Sequence, residues 1–423
     1  SHVKDYTIRT VNGKRIGFVG ALTDALGSVA TPQITEDADL SERAVDALNR
    51  VAGELKRSGK VDAVVALLHA DASAATGLGR DVDLAYTGHT HAVKQGVADG
   101  GAPIYEAGSF GQNMAVQDLI ITGHGRHAKV QVADVNLGNG TEATAVPGVL
   151  NVEGLDAHPR QAAWMSAGVV SNGSVARSRQ LYTKAKDYAA SAGNAVIGTL
   201  APGTNFDKRT SVGHEGSVGM LVADANRESI MRNVYAGTRL PVVGFSNNGS
   251  LRTKQLDMDE DGKVTIREVD SLMALQFHAA HETLTGLGLK AVLAQQFHRN
   301  DDGELEHRWL GISSNVRYRY VQCGDGGATC TLGDSDGNGN QHTGVKATVG
   351  IVDLTIDGRP IADDDLVIIA SNSYLLQGGD NYSAFRAGSN YGELEMSYTQ
   401  SLHEYLAAHP KLSAAVPETG TRA

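Results

Sequence analysis

Asp83-Leu84-Ala85-Tyr86-Thr87-Gly88-His89-Thr90-His91 decides the reading of the N-terminal half. Leu84 to Thr87 is short, apolar and β-prone, so it reads as a buried strand. Gly88 ends the strand, and the turn beyond it carries two histidines. An earlier run, Val61-Asp62-Ala63-Val64-Val65-Ala66-Leu67-Leu68, ends on a third histidine, His69. Nearly continuous aliphatic runs of this kind suit strands covered on both faces. Residues just past the carboxyl ends of parallel strands converge on one crevice. His69, His89 and His91 are therefore candidate metal ligands, since neutral imidazole binds divalent transition metals. The competing reading of each is an ordinary surface or core histidine.

Outward from this stretch, Leu40 to Arg57 reads as a helix. Ala44, Val45, Leu48, Val51, Ala52 and Leu55 recur at helical spacing, Ser41 suits the N-cap, and Gly59 stops it. Asn12-Gly13 joins two strand-like runs as a hairpin turn. Pro103 to Gly111 reads as a strand entering a Gly/Ser turn, and Ala115–Thr122 with Ala128–Val135 as a closing antiparallel pair. Residues 1–145 thus form one α/β domain. Gly, Pro, Asn and Asp punctuate 138–159, and 178–200 has helical character, so 146–200 reads as connector and linker helix. Residues 201–423 form a second domain. In it a helix is expected over Met220–Met231, a strand at Pro241–Phe245, mostly helix over Leu272–Phe297, and strands at Val349–Ile356 and Leu366–Ser371. The expected fold class is α/β, as a two-domain α+β chain.

A chain of 423 residues exceeds one ordinary core. The net charge of −11, with no block of Lys or Arg, argues against a nucleic-acid partner. No apolar run is long enough to span a bilayer. Cys323 and Cys330 bracket a short Gly-rich loop. Their spacing excludes a CxxC metal site, and a disulfide in an exported protein is expected, with a reduced pair as the alternative.

Gly88-His89-Thr90-His91, with Ala66-Leu67-Leu68-His69 before it, resembles the later motifs of calcineurin-like metallophosphoesterases. The likeness is to the bacterial 5′-nucleotidase, UDP-sugar hydrolase and 2′,3′-cyclic phosphodiesterase family. It continues through Glu106-Ala107-Gly108-Ser109-Phe110-Gly111 and most of the second half. The resemblance implies part of a metallophosphoesterase β-sandwich flanked by helices, a linker helix, and a 5′-nucleotidase C-terminal α/β domain. It also implies two divalent metals, Mn, Zn or similar, about 3.5–4 Å apart. His69 and His89 would hold one ion and His91 the other. The family's Asp-x-His, Gly-Asp and Gly-Asn-His-Asp/Glu motifs do not occur before His69; Asp24, Asp37 and Asp71 stand outside them. The expectation is that the catalytic residues lie upstream of Ser1, and that the chain is a piece lacking half of the dimetal site. The missing segment, as a separate chain, would then be a partner.

In the second half, Asn247-Asn248-Gly249-Ser250-Leu251-Arg252 resembles the family's Asn-Gly-Gly-Gly-Ile-Arg. The resemblance implies that Asn247, Gly249 and Arg252 bind substrate, that Phe277 and Tyr374 sandwich the base, and that Asp380 holds the ribose hydroxyls. Arg252 would offer phosphate a planar fork of donors. Taken alone, Phe277 also reads as a helix-face core residue and Gly378-Gly379-Asp380 as a plain turn. The implied function is a secreted, periplasmic or cell-wall-associated metal-dependent phosphohydrolase acting on nucleotide phosphate esters or pyrophosphates. The alternatives are a non-catalytic nucleoside-binding protein, a 2′,3′-cyclic phosphodiesterase with 3′-nucleotidase activity, or a UDP-sugar hydrolase.

Asp257-Met258-Asp259-Glu260-Asp261-Gly262-Lys263-Val264-Thr265-Ile266-Arg267-Glu268 fits a twelve-residue Ca²⁺ loop. Asp257, Asp259, Asp261 and Glu268 would supply carboxylates and Lys263 its carbonyl. A solvated acidic turn is the alternative. Asp334-Ser335-Asp336-Gly337-Asn338-Gly339 is a weaker echo, with Val345 where Glu would close the loop; a polar insertion fits it equally.

Overall fold

The computed structural model describes residues 4–35, 40–135, 146–151, 173–208, 216–299, 305–322, 334–335, 341–342, 349–413 and 420–422. It divides into two units, residues 1–26 with 37–180 and residues 27–36 with 181–423. Both are mixed α/β.

The first unit is built on a six-stranded sheet: β1 (Tyr6–Val11), β2 (Lys14–Leu22), β3 (Ala63–His69), β4 (Leu84–Thr87), β5 (Val93–Val97) and β6 (Pro103–Ala107). Their order across the sheet is β1-β2-β3-β4-β6-β5. The strands from β2 to β6 in that order are mutually parallel, while β1 and β5 close the edges antiparallel. Asn12 and Gly13 both take positive φ, 49° and 74°, as a tight two-residue hairpin requires. The two sheet faces are covered differently. Val64, Ala66, Leu68, Ala85 and Ile104 pack on the helix Ala44–Arg57 through Leu48, Val51 and Leu55. Val65, Leu84 and Tyr105 pack instead with Leu119 and Val132. Those two come from the antiparallel pair Gln117–Thr122 and Lys129–Asp134. Each fully buried leucine in such a layer is worth about 1.5–3 kcal/mol of transfer free energy.

The helix Ala44–Arg57 begins later than its sequence suggests. Arg43, not Ser41, takes the cap position, and it offers no side-chain cap. Asp24 supplies the acceptor instead, its Oδ1 lying 2.6 Å from the Ala44 N–H. A distant carboxylate does what a local serine was expected to do.

The second unit has a five-stranded sheet in the order Leu310–Ile312, Val242–Asn247, Leu366–Asn372, His278–Thr285, Ser389–Ser397. Only the pair Val242–Asn247 and Leu366–Asn372 is parallel. Ile230, from the helix Ser217–Asn233, packs with Val242, Ile368 and Ala370 on one face. On the other, Val243, Phe245 and Ile369 pack with the helix Gly286–Gln295 and with Val316, Ile351 and Ile356 of an antiparallel pair. A Cβ on Gly244 would sit 1.8 Å from the Ala223 carbonyl, so only glycine admits so close a helix.

Two helical expectations need correction. Leu272–Phe297 is not mostly helix, because His278–Thr285 is a strand paired on both sides, and the helix starts at Gly286. His278-Ala279-Ala280-His281-Glu282-Thr283-Leu284-Thr285 has no decisive period of its own, and sheet pairing decides. Helix Gly173–Ser191 is present, but Val196–Leu200 is a strand paired with Lys263–Thr265 and Lys411–Leu412. Gly193 and β-branched Val196 and Ile197 were the local signals.

Candidate functional site

The parallel strands of the first unit bring the three histidines to one sheet end. His69 is the last residue of β3, and His89 and His91 follow β4. The His69 and His89 rings lie 5.1 Å apart, edge to face. His91 instead meets Phe110 edge-on at 5.6 Å. His89, His91 and Phe110 all take left-handed φ, 76°, 61° and 56°. Such backbone costs about 1–3 kcal/mol per residue and persists only where its surroundings over-determine it.

Thr90 between the histidines supplies much of that determination. Its Oγ lies 2.6 Å from Glu106 Oε1 and 3.1 Å from Asp71 Oδ2. Glu106 Oε1 also accepts the Ala92 N–H at 3.3 Å. Asp71 accepts from Lys94 and from the Ser73 N–H, and these donors, Lys94 first, hold its carboxyl well below the usual range. Glu106 is fully buried, and its Oε2 has no partner among the described residues. No group of three or more His, Cys, Asp or Glu that could hold a metal ion occurs among the described residues. His69 and His89 offer two adjacent imidazoles, while Asp71 is engaged by Lys94. These residues do not make up a dimetal centre, and no chemical step follows from them alone.

The second unit gathers its site at the carboxyl end of the parallel pair. Asn247 ends one strand and Asn372 ends the other. Asn372 Nδ2 donates to Asn247 Oδ1 at 3.1 Å, and Asn372 Oδ1 caps the short helix Ser373–Leu376 by accepting the Leu375 N–H. That cap positions Tyr374. Phe277 stands just before the antiparallel strand His278–Thr285, so it enters from the same end. The Phe277 and Tyr374 rings face each other with centroids 5.2 Å apart and planes 9° from parallel. Tyr398 backs Phe277 at 5.9 Å.

Asp380 ties the site together. Its Oδ1 accepts the Tyr374 hydroxyl at 2.7 Å and its Oδ2 accepts Asn247 Nδ2 at 2.7 Å. Asp380 takes φ 53°, and Arg308 Nη1 donates to its carbonyl at 2.7 Å. Burial and then the Asp380 charge push the Tyr374 hydroxyl pKa well up, so it stays a donor. A Cβ on Gly379 would lie 2.5 Å from the Tyr374 ring, so this turn residue is glycine because the ring lies on it. A Cβ on Gly249 would come 3.2 Å from Asp380 Oδ2. Arg252 Nη1 donates to the Gly249 carbonyl at 3.0 Å. Lys208 Nζ donates to the Leu251 carbonyl at 2.6 Å; burial, then Arg252, lowers its pKa.

Asn247, Gly249, Arg252, Phe277, Tyr374 and Asp380, dispersed over 134 positions, thus meet through direct contacts or shared neighbours. Asn372 and Arg308 belong with them. Asn372 had a local signal, an Asn at the end of an apolar strand and before a helical turn. Arg308 had none.

The acidic loop is a turn, a short strand and a helix, with its acids engaged by protein donors. Gly262 takes φ 77°, Lys263–Thr265 is a short strand, and the helix Ile266–Leu272 follows as an exit helix. Asp257 Oδ2 accepts the Gly262 N–H at 2.8 Å. Glu268 Oε1 accepts the Met258 N–H at 2.8 Å, and its Oε2 accepts the Thr265 N–H at 2.9 Å as half of a capping box. Asp259 pairs with Arg267 and Asp261 with Lys263, both half-exposed. Cys323, Cys330 and residues 336–340 lie outside the described residues.

Residues 196–387 match the family "5′-nucleotidase, C-terminal domain". Cell wall protein Lmo0130 of Listeria monocytogenes is 23% identical over 399 residues, covering 90% of this chain and 45% of that protein. The chain therefore spans less than half the length of that curated relative. Among solved structures, a 5′-nucleotidase precursor from Thermus thermophilus superposes with TM-score 0.60 at 15% identity, covering 99% of this chain and 74% of the other. The sulfate thiohydrolase SoxB of the same organism, in complex with glycerol, gives 0.55 at 17% identity, covering 99% and 65%. These likenesses show a shared two-domain α+β fold.

Proposed function

With a 5′-nucleotidase C-terminal domain over residues 196–387 as the premise, we propose that the second unit grips the nucleoside part of a nucleotide between Phe277 and Tyr374. The parallel, facing rings 5.2 Å apart carry this reading. Aromatic faces stack on any base, so the grip tolerates several nucleotides. A base slotted between the rings needs them to part by about one ring thickness, roughly 3.5 Å. Asp380 sets how they part. Its two oxygens accept Tyr374 and Asn247; ribose hydroxyls donating to the same oxygens replace those bonds. Arg252, at the same end, meets the phosphate.

The complete protein is then a hydrolase of nucleotide phosphate esters or pyrophosphates. His69, His89 and His91 contribute imidazoles to a metal centre. The described residues do not complete that centre, which also favours a second reading, a nucleoside-binding module without hydrolysis. A structural Ca²⁺ in the 257–268 loop belongs to the same proposal. So does a place outside the cytoplasm, supported by the cell-wall relative. No helix among the described residues is long and apolar enough to cross a membrane.

Calorimetric titration with adenosine, uridine, AMP and UDP-glucose tests the grip, followed by phosphate release with Mn²⁺ or Zn²⁺ added. Nucleoside binding without release supports the binding module for this chain. Failure of every nucleoside to bind folded protein contradicts the grip itself.

A further inference from the structure

The parallel pair of the second unit also has a cavity at its opposite end. At its amino end, Pro241, Val242 and Leu366 open onto a cavity of about 660 Å³. Asn247 and Asn372 mark the opposite, nucleoside end of the same strands. Five to six residues of strand, at about 3.3 Å each, separate the two by roughly 17–20 Å. The volume lies in the range of small-molecule sites.

The cavity combines bare hydrocarbon with a small excess of positive charge. Leu240 and Leu366 are 41% and 48% exposed at its mouth, unusually open for leucine, and Pro241, Pro360 and Ile361 extend the apolar wall. Three arginines and two aspartates line it. Arg227 is spoken for: its Nε donates to the Val242 carbonyl at 2.9 Å and its Nη2 pairs with Asp357 at 3.5 Å. Asp365 accepts the Ala362 N–H at 2.8 Å. The guanidiniums of Arg239 and Arg359 have no hydrogen bond or ion pair among the described residues. Both stand on ordered backbone. Arg359 follows the tight Asp357-Gly358 turn, with φ 50° and 74°, and pairs with Ile356. Arg239 sits in a turn where the Thr238 hydroxyl accepts the Leu240 N–H at 3.1 Å.

We infer that this cavity binds a small amphipathic anion, a carboxylate or phosphate on an apolar body, with Arg239 and Arg359 on the anion and the Leu240–Leu366 wall on the body. Two guanidiniums without ion-pair partners, in a lining of three arginines and two aspartates, favour an anion locally on a chain of net charge −11. Guanidinium binds either oxyanion with paired N–H donors, so the shared chemistry is the oxyanion. The cavity holds no aromatic ring among its lining residues, so it is not a second base-stacking site.

The test uses the sulfonate dye 1-anilinonaphthalene-8-sulfonate, whose fluorescence rises in apolar surroundings. Expected is saturable one-to-one binding, weakened about tenfold or more in the Arg239→Ala/Arg359→Ala double variant, with unchanged melting. Hexanoate or hexyl phosphate should displace the dye, and whichever is stronger identifies the anion; 1-hexanol should not. Equal dye affinity in the double variant, no saturable binding to wild type, or equal displacement by hexanol would overturn the inference. Adenosine binding should be unaffected by the arginine changes, and dye binding by Tyr374→Ala, so this site and the nucleoside grip fail separately.

Discussion

The histidine turn of the first unit, with its buried Glu106, and the aromatic pair of the second, with its half-buried Asp380, handle a carboxylate in opposite ways. Asp380 has both oxygens satisfied, by Tyr374 and Asn247, on elements far apart in sequence. Glu106 has one oxygen on Thr90 and Ala92, and its other oxygen is buried without a partner among the described residues. The first arrangement is closed on itself and can exchange its bonds for a ligand's. The second holds a strained turn in place and leaves acceptor capacity unused. Unmatched buried acceptors cost about 1–3 kcal/mol each. The difference separates a closed set of side-chain hydrogen bonds from one that leaves a buried acceptor unmatched among the described residues.

The largest expected effect comes from breaking the closed arrangement. Gly379→Ala puts a methyl against the Tyr374 ring and should weaken nucleoside binding by about 10–100-fold, the worth of one stacked base. Titration with adenosine checks it, with circular dichroism to confirm folding; unchanged affinity means the ring is not part of the grip.

Next is the acidic loop, which borders the grip. Glu268→Ala is a poor probe of calcium, because it also removes the capping box of the helix Ile266–Leu272. Asp259→Ala is cleaner. Saturating Ca²⁺, at about 100 times its dissociation constant, should stabilise wild type by about 2.7 kcal/mol and the variant markedly less. Identical melting of wild type in Ca²⁺ and in chelator removes calcium from the account.

Glu282 extends the comparison to a carboxyl with no closure at all. It is buried in the second core with Oε1 unpartnered, and burial drives its pKa well above the carboxylate range. The folded state therefore holds a proton that the unfolded state releases. Its stability is full below the unfolded-state pKa and falls as pH rises toward the folded-state value. Glu282→Gln should flatten that fall, gaining about 1 kcal/mol or more relative to wild type at pH 8 against pH 4.5. Parallel stability–pH curves for the two proteins would show Glu282 ionised in the fold.

The smallest effect is at Thr90. Thr90→Val keeps the shape and removes the hydroxyl between Asp71 and Glu106, costing about 1–2 kcal/mol in the first unit. Denaturant unfolding measures it, and a neutral outcome means the left-handed histidine backbone is held by packing instead.

How much of this was legible in the sequence follows the range of the interactions. The strands bearing His69 and the His89–His91 turn were readable, because buried parallel strands write continuous apolar runs. The helix Ala44–Arg57 was readable from its periodicity, but not its cap, because Asp24 comes from twenty residues away. His278–Thr285 was misread as helix because its strand character rests on partners on both sides. Phe277, Tyr374 and Asp380 came from resemblance; nothing local in them announces that they touch. The bond of Asp380 to Asn247 spans 133 residues and is written only in the fold.

The central claim is tested most directly by calorimetric titration of adenosine and AMP into wild type and Tyr374→Ala, both shown folded by their melting. The account predicts saturable one-to-one binding to wild type and affinity reduced about tenfold or more in the variant, for adenosine and AMP alike. Equal affinity in the two proteins, or no binding of either ligand to wild type, would contradict it.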